Sequence, residues 1–512
     1  MAVTFEDKFQ DPINTSSPAL SLIKAYENSK REQEKIRIYN QEWLWDYYEG
    51  DKYIIEAYLK SVVEKILGSD IVKDDEWLYD WVNITKKVID RLAVVYLNAP
   101  DRYIEAEYES EDMPKTEYFE SILPENLNSI DKKQHRIAKL QNTSLTFLYF
   151  DKNTGKIAMR VEPSHKYQVE VDDNDPYLLT KVSYRKYFKN RITGEDELFT
   201  VVWTKDDHYK LDGDEKKSPV GDNEGLKNPW RNKKGEGVLP FAKNSLVEGE
   251  DVWGVGQYDL VNVNEMINFL LTFLINDAIV LGSTGTPLGI NLNLNKRGVE
   301  ENGQRKVRTG RRHPISIDDV KTDDATPSLQ YVSTQPLIAE IQNSIDYRIK
   351  QIAVLKGLNP NTILSTVKDT SDYQKMMDSL EQIEIRRDDI EPCRIYEEQR
   401  FEIIKAINNT AARDSKLRGE FKLQEINWDD KLVVDFIEPK TELTLTGKWL
   451  DREKKLAMNL ITPLDILMEE NPDLDTETAQ ELLDANKQIN DSNTQKVGRL
   501  ENLLNNQKEQ TQ

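Results

Sequence analysis

The sequence is organised around one stretch, WGVGQYDLVNVNEMINFLLTFLINDAIVLG, which occupies residues 253–282. Its apolar residues recur at three- and four-residue spacing, which is the period of a helix. Gly282 follows the last of them, as glycine commonly does at the end of a helix. The stretch therefore predicts a helix over residues 258–281, roughly 36 Å long at a rise of about 1.5 Å per residue.

Two further segments complete this central region. Residues 283–334 are interrupted by glycine and proline and contain a run in which apolar and small polar residues alternate, which is typical of a strand. A second helical pattern covers residues 335–356 and is stopped by Gly357 and Pro360. We interpret the region as two long helices whose far ends are joined by a small β-rich domain.

The first helix is long enough to cross a bilayer, so a membrane span has to be considered. Asp259, Glu265 and Asp277 argue against it, because the segment contains no basic residue to pair with them. Two interpretations remain, a core helix of one large domain and a helix that packs against copies of itself in a ring. In the ring interpretation the packing residues are Ile267, Leu270, Leu271 and Leu274.

The composition limits the functional classes. The chain has 512 residues, of which 38% are hydrophobic and 31% charged, with a net charge of −22. Such a surface repels DNA at long range, which disfavours a tight nucleic-acid binder but not a conduit for DNA. The one cysteine excludes an intrachain disulfide and fits a cytosolic origin. Residues 1–11 lack the apolar core of a signal peptide.

The flanking regions predict an α+β fold. Charged helical patterns come first, and from residue 142 onward the period changes to that of strands joined by glycine-bearing turns, which predicts an antiparallel sheet. A very long helix is predicted from about residue 371 to residue 408, followed by one strand and several shorter helices. The tail beyond residue 490 is rich in Gln and Asn and is expected to be disordered.

A cluster of basic residues stands out inside the β-rich insert of this acidic chain. Between residues 296 and 312, the only acidic residues are Glu300 and Glu301. Either the cluster is a solvated loop, or it contacts DNA phosphates or an acidic partner. Its members are Lys296, Arg297, Arg305, Lys306, Arg308, Arg311 and Arg312.

Catalytic motifs are missing from the sequence. Gly155-Lys156 and Gly447-Lys448 lack the hydroxyl residue that completes a phosphate-binding loop. The four histidines show no metal-ligand spacing, and only the run Asp206-Asp207-His208 offers a weak metal candidate. The sequence therefore predicts no enzyme, no cofactor and no metal.

Several local patterns, taken in order, carry a resemblance to a known family. They are NITKKVIDRLA at residues 83–93, WGVGQYDL at 253–260, LNP at 358–360, TSD at 370–372, VDF at 434–436, LITP at 460–463 and NPD at 471–473. Their order and spacing resemble portal proteins of tailed bacteriophages, in the subfamily typical of long-tailed phages. One departure is Ser371-Asp372-Tyr373, where many members carry Ser-Gly before a small residue, so the boundaries of the tunnel loop stay open.

This resemblance implies a portal fold with long stem helices, a small β-rich clip, an antiparallel-sheet wing and a helical C-terminal crown. The implied segments are the wing at 1–250, first stem helix at 251–282, clip at 283–334, second stem helix at 335–356, tunnel loop at 357–372, long wing helix at 373–430, crown at 431–490 and disordered tail at 491–512. The tunnel loop would face the channel with Asn361, Ser365, Thr366, Lys368 and Asp369.

The resemblance also implies a function and partners. Portal proteins form a closed ring, usually of about twelve copies, at one capsid vertex in the virion, after assembly in the host cytoplasm. Double-stranded DNA passes through the ring without sequence specificity, and the clip docks the terminase and later the head–tail adaptor. Capsid and scaffolding proteins are further partners, and no membrane is involved. Two alternatives stay open, a metal-dependent nuclease and a helical scaffold protein without a channel.

Overall fold

Helices and mainly antiparallel sheets make up the fold, as the alternating and helical sequence periods predict. The computed structural model describes residues 20–67, 77–108, 113–189, 194–220, 225–249, 251–276, 286–290, 300–301, 304–305, 315–317, 328–332, 338–360, 363, 372–436, 452–458, 461–470, 476 and 478–485. The helices are α1 (Leu20–Glu49), α2 (Lys52–Leu67), α3 (Ile84–Leu92), α4 (Pro114–Ser121), α5 (Leu127–Gln141), α6 (Tyr258–Ile275), α7 (Ile338–Leu355), α8 (Asp372–Arg413), α9 (Ser415–Arg418) and α10 (Pro463–Glu470).

The strands fall into five small sheets. They are β1 (Asp101–Ile104), β2 (Thr143–Asp151), β3 (Lys156–Glu162), β4 (Tyr167–Val171), β5 (Leu179–Lys189), β6 (Asp196–Thr204), β7 (His208–Leu211), β8 (Lys217–Ser218), β9 (Phe241–Ser245), β10 (Thr286–Ile290), β11 (Glu300–Glu301), β12 (Gln304–Arg305), β13 (Ile315–Ile317), β14 (Ser328–Val332) and β15 (Leu432–Asp435).

The predicted antiparallel sheet downstream of residue 142 is confirmed and divides into two. Strands β4 to β8 form a five-stranded meander, in which each strand pairs with the next along the chain. Strand β2 lies between β3 and β9 in a second, three-stranded sheet. Strand β1 pairs with β15, so residue 101 lies opposite residue 435 and distant parts of the chain meet.

The β-rich insert contains two short sheets. Strand β10 lies between β13 and β14 and runs parallel to β13 but antiparallel to β14. Strands β11 and β12 form a two-stranded pair in which Glu300 lies opposite Arg305. All of them lie between α6 and α7 in the sequence, as the interrupted pattern of residues 283–334 predicts.

Two hydrophobic cores organise the larger part of the chain. The first joins the antiparallel sheets to the second half of α8, whose Tyr396, Phe401 and Ile404 are buried. The second joins α1, α2, α3, α6 and α7, with Leu44, Val88 and Ile352 at its centre. The two long helices of the central region therefore belong to a helical core, which is separate from the core under the sheets.

The chain divides into two compact units. The first unit comprises Met1–Thr366 and Glu381–Pro439, and contains both cores. The second comprises Val367–Leu380 and Lys440–Gln512, and its described residues are mainly helical. Within the described ranges, no helix combines the length and hydropathy required to cross a bilayer.

The glycines that precede α6 form a tight elbow. Gly254 has a φ of +61°, and a Cβ atom there would lie 2.0 Å from the Asn142 amide nitrogen. A Cβ on Gly256 would lie 2.6 Å from a methyl carbon of Leu44. The Asn142 amide donates to the Val247 carbonyl oxygen at 2.9 Å, so the elbow fixes the entry to α6 against the end of α5.

Candidate functional site

Helices α6 and α7 form an antiparallel hairpin. The Lys356 ammonium lies 2.6 Å from the Asp259 carboxylate, which places the end of α7 beside the start of α6. Ile267 on α6 and Ile345 and Ile352 on α7 are buried in the same core. The other ends of the two helices, at residues 275 and 338, are therefore the ones that lead into the β-rich insert.

A row of polar residues on α6 binds another part of the same chain. Asn264, Asn268, Thr272 and Asn276 follow one another at four-residue spacing and are buried. Their side chains bind the backbone of residues 78–85, a segment without helix or strand up to residue 83. We call these four residues and their backbone partners the asparagine ladder.

From Asn276 to Asn268, the ladder pairs every fourth residue of the helical run with every second residue of the segment. Asn276 both accepts from the Leu78 amide and donates to the Leu78 carbonyl, and Thr272 does the same with Asp80. The Val82 amide donates to Asn268 at 2.9 Å. Four helical residues rise about 6.0 Å and two extended residues span about 6.6 Å, so the repeats match when the segment is extended.

Asn264 ends the ladder and makes the most complete set of bonds. Its side-chain oxygen accepts from the Thr85 amide at 2.8 Å, and its amide donates to the Val82 carbonyl at 2.9 Å. Asn264, Asn268, Thr272 and Asn276 thus use their side chains to pair backbone groups of a half-buried extended segment that has no helix or strand partner of its own.

Replacing Asn264 by Leu is expected to lower the free energy of unfolding by about 1–3 kcal/mol, because the buried Thr85 amide and the part-buried Val82 carbonyl both lose their partner. The matched control is Asn262→Leu, an exposed position on the same helix, where a change within about 0.5 kcal/mol is expected. Chemical denaturation of the two variants beside the parent chain measures both values. Equal stability of the two variants would show that the ladder contributes little.

The residues predicted to pack between copies of the first long helix mostly contact the helical core of their own chain. Ile267 is fully buried in the helical core, and Leu270 and Leu271 are half-buried against it. Leu274 is half-buried as well. The structure thus brings Ile267, Leu270 and Leu271 together on one core, where most of their surface is used within the chain itself.

An exposed apolar surface lies instead on α7. Tyr347, Val354 and Leu355 each expose 67% of their surface, whereas Ile345 and Ile352 on the same helix are buried. We call these three exposed residues the outer face of α7. These three residues are not among the predicted packing residues. The helical period of α7 already places them outside the apolar stripe that faces the core.

Carboxylates and tyrosines meet where α1, α2 and α6 converge. The Tyr58 hydroxyl donates to Asp46 at 2.8 Å, and the Tyr47 hydroxyl donates to Glu265 at 2.9 Å. Burial, with smaller contributions from Glu42 and Asp51, raises the pKa of Asp46 to about 6, although the hydrogen bond from Tyr58 acts in the opposite direction. Burial also raises the pKa of Glu265. The cluster therefore favours the protonated form of its carboxyl groups.

Asp46 gives the fold a predictable dependence on pH. Its pKa is raised by folding, so its favourable contribution is present below pH 4 and is lost as the pH rises towards 6. Asp46→Asn keeps the acceptor for Tyr58 and is expected to stabilise the chain at pH 7.5 by about 1 kcal/mol, a value reduced for partial exposure.

Thermal melting of the Asp46→Asn variant and its parent between pH 4 and pH 8 checks this expectation. The difference between them should shrink as the pH falls through 6, because the parent carboxyl then gains its proton. Glu49→Gln, on the exposed side of the same helix, serves as the control. A pH-independent difference would contradict the assignment.

The other predicted site residues lie mainly outside the described residues. This applies to Lys296, Arg297, Lys306, Arg308, Arg311 and Arg312 of the basic cluster, and to Asn361, Ser365, Thr366, Lys368 and Asp369 of the channel loop. The backbone of Arg305 lies in β12. The start of the loop is anchored, since Leu358 and Ile363 are buried and the Lys87 ammonium donates to the Ile363 carbonyl.

The described residues contain no group of three His, Cys, Asp or Glu side chains that could hold a metal ion. His208 of the weak metal candidate stacks on Trp203 with ring centroids 3.4 Å apart, and burial lowers its pKa to about 4. Cys393 is buried, and burial raises the pKa of its thiol, which keeps it protonated and unreactive at neutral pH. These side chains have structural roles in their cores.

Comparisons with known proteins give one distant structural similarity. No family model matches the chain, and no curated protein matches it. Among solved structures, a chain from the virion of a native gene transfer agent particle is similar over 73% of this chain and 84% of its own length. The TM-score is 0.34 and the sequence identity 9%, and a similarity at this level carries no argument about the fold or the function.

Proposed function

We propose that this chain is the portal protein of a tailed bacteriophage. The observation that carries the proposal is the antiparallel hairpin of α6 and α7, which has a strand-bearing insert between its far ends and an exposed apolar face along α7. Exposed apolar side chains on a helix favour burial against a partner, and head-to-tail contacts between identical subunits generate closed rings when the rotation between them closes. The order of motifs in the sequence supports the same function.

Each segment then has a role. Helices α6 and α7 form the stem, residues 283–334 form the clip, the antiparallel sheets form the wing and residues 431–490 form the crown. A ring of about twelve copies surrounds double-stranded DNA during packaging and ejection. The net charge of −22 supports this role, because an acidic wall lets DNA slide without adhering to it.

The partners follow from the same proposal. The basic cluster of the clip contacts the terminase and later the head–tail adaptor, or DNA as it passes. Capsid and scaffolding proteins surround the ring at one vertex of the virion, after assembly in the host cytoplasm. The chain itself performs no enzymatic step and needs no cofactor, since the terminase hydrolyses ATP.

The loop at residues 357–372 offers a direct test of channel function. Lys368→Glu is expected to leave assembly intact and to reduce DNA retention in filled particles, because each subunit loses one weak and salt-sensitive phosphate contact. Lys152→Glu, in an exposed turn between β2 and β3, is the matched control. Packaging efficiency and DNA release are measured at two salt concentrations. Equal DNA retention by both variants would show that Lys368 of the loop does not contact DNA.

Two alternatives are separated from the portal by simple experiments. A metal-dependent nuclease would degrade DNA in the presence of magnesium, whereas a portal protein leaves it intact. A helical scaffold without a channel would give monomers or open filaments in place of closed rings.

A further inference from the structure

Helices α3 and α5 carry a concentration of positive charge that the proposed stem, clip and loop do not use. Helix α3 contains three basic residues and one acidic residue, and α5 contains four basic residues and one acidic residue, which gives a net charge of about +5 with His135 neutral. The whole chain has a net charge of −22. The surrounding sequence does not predict such a reversal of sign on two neighbouring helices.

The acidic residues of these helices are already bound. Asp90 on α3 accepts from Arg136 on α5 at 2.9 Å and from the Tyr48 hydroxyl at 2.9 Å. Asp131 on α5 is completely buried between Arg102 and Arg400. Neither carboxylate therefore neutralises the outward basic side chains of the two helices.

The contact between Arg136 and Asp90 joins the two helices side by side. Lys86 and Arg91 on α3 and Lys133 on α5 are exposed, Lys132 on α5 is half-buried, and we call these four residues the α3–α5 basic face. Within the described part of the chain, no carboxylate lies at ion-pair distance from Arg91, Lys132 or Lys133. The face therefore holds cations that are available to an external anion.

The face also borders the loop to which the proposed function assigns DNA contact. The Lys87 ammonium donates to the carbonyl of Ile363, which is a buried residue near the start of that loop. Apart from the buried His135, α3 and α5 contain no aromatic side chain. The two helices themselves thus offer phosphate contacts but no exposed ring for base stacking, which is the usual means of holding single strands.

We propose that the α3–α5 basic face binds the phosphates of double-stranded DNA beside the root of the loop at residues 357–372. This inference rests on the proposed function, since the neighbouring loop receives its DNA contact from that proposal. Binding of this kind is independent of sequence and weakens steeply with salt. It gives each copy of the chain a second group of phosphate contacts, which lies on two helices and is separate from the loop.

The test uses the full-length chain and a duplex of about 30 base pairs at low salt, where phosphate contacts are strongest. A triple variant changes Arg91, Lys132 and Lys133 to Gln. Its affinity for the duplex is expected to fall by roughly tenfold or more, and the slope of log K against log salt should become shallower by up to about 2.7. Melting temperature and particle mass should match those of the parent.

The matched control removes the same charge elsewhere. It changes Lys152, Lys205 and Lys216 to Gln, three exposed lysines in turns of the antiparallel sheets. The control should retain the affinity and the salt slope of the parent to within about twofold. Equal losses in both triple variants would assign the effect to total charge and overturn the proposal, as would a parent chain that does not bind the duplex.

The two proposals fail in different ways. If the parent chain forms no ring but the basic-face triple still loses duplex binding relative to the control, the portal function fails and the surface assignment stands. If rings form and the triple binds like the parent, the surface assignment fails alone. Binding of an acidic protein in place of duplex DNA would likewise overturn it.

Discussion

Arg400→Met is expected to destabilise the chain by about 3–5 kcal/mol, the largest effect of any single substitution considered for this fold. Arg400 lies on α8 with 2% of its side chain exposed. Its guanidinium binds Asp131 at 2.5 Å and also binds Glu397 on the same helix. Its removal leaves two buried carboxylates, Asp131 and Glu397, to share the single remaining cation of Arg102.

The charges around Arg400 form a balanced quartet. Arg102, from β1, donates to Asp131 at 2.7 Å and to Glu397 at 2.8 Å, and Tyr96 also donates to Glu397. Burial alone would raise the pKa of Glu397, but Arg102 and Arg400 hold it at about 2. Two cations and two anions thus join β1, α5 and α8, and loss of either sign leaves a net buried charge.

The control for this prediction is Arg394→Met on the same helix. Arg394 is 45% exposed and pairs with Glu391 at the surface, so a change of at most about 1 kcal/mol is expected. A double variant, Glu397→Gln with Arg400→Gln, removes one charge of each sign and should recover part of the loss. Soluble yield and denaturation midpoint are measured for Arg400→Met, Arg394→Met and the double variant. A loss no larger for Arg400→Met than for Arg394→Met would contradict the account.

The second large effect concerns assembly. If the proposed ring forms, Tyr347→Asp combined with Val354→Asp is expected to convert it into monomers. Burying an apolar side chain of this size contributes about 1.5–3 kcal/mol, so losing two weakens each interface by about 3 kcal/mol or more, on the order of 100-fold. Carboxylates buried without partners weaken it further. Because both residues are exposed in the subunit, its fold should persist.

An exposed tyrosine in the sheet provides the control for assembly. Tyr187 on β5 is 66% exposed, nearly the same as the 67% of Tyr347, and lies far from the hairpin in sequence. Tyr187→Asp should leave the particle mass unchanged. Analytical ultracentrifugation at several concentrations compares the two variants. Intact rings in the Tyr347 and Val354 double variant would show that the outer face of α7 is not an interface.

Local periodicity was sufficient to predict the main elements of the fold. The helical spacing around Leu260 and Ile267 predicted α6, and the change of period near residue 142 predicted the antiparallel sheets. Both signals depend on neighbours a few residues apart, and such patterns follow directly from helix and strand geometry.

The contacts that explain the polar residues were not predictable in this way. Asn264 binds Thr85, 179 residues away in sequence, and nothing local to α6 indicates which segment its amide will meet. Arg400 and Glu397 look like an ordinary surface pair at three-residue spacing, yet both are buried. The distinction depends on Arg102, which comes from a strand 295 residues before Glu397.

The central claim is that this chain assembles into a closed ring around a channel. Light scattering on the purified full-length protein, combined with negative-stain images of the same fraction, measures this directly. The account predicts one species whose mass is about twelve times the 59.4 kDa of the chain, seen as a ring with a central hole. A uniform species of 59.4 kDa, or open filaments without a hole, would contradict it.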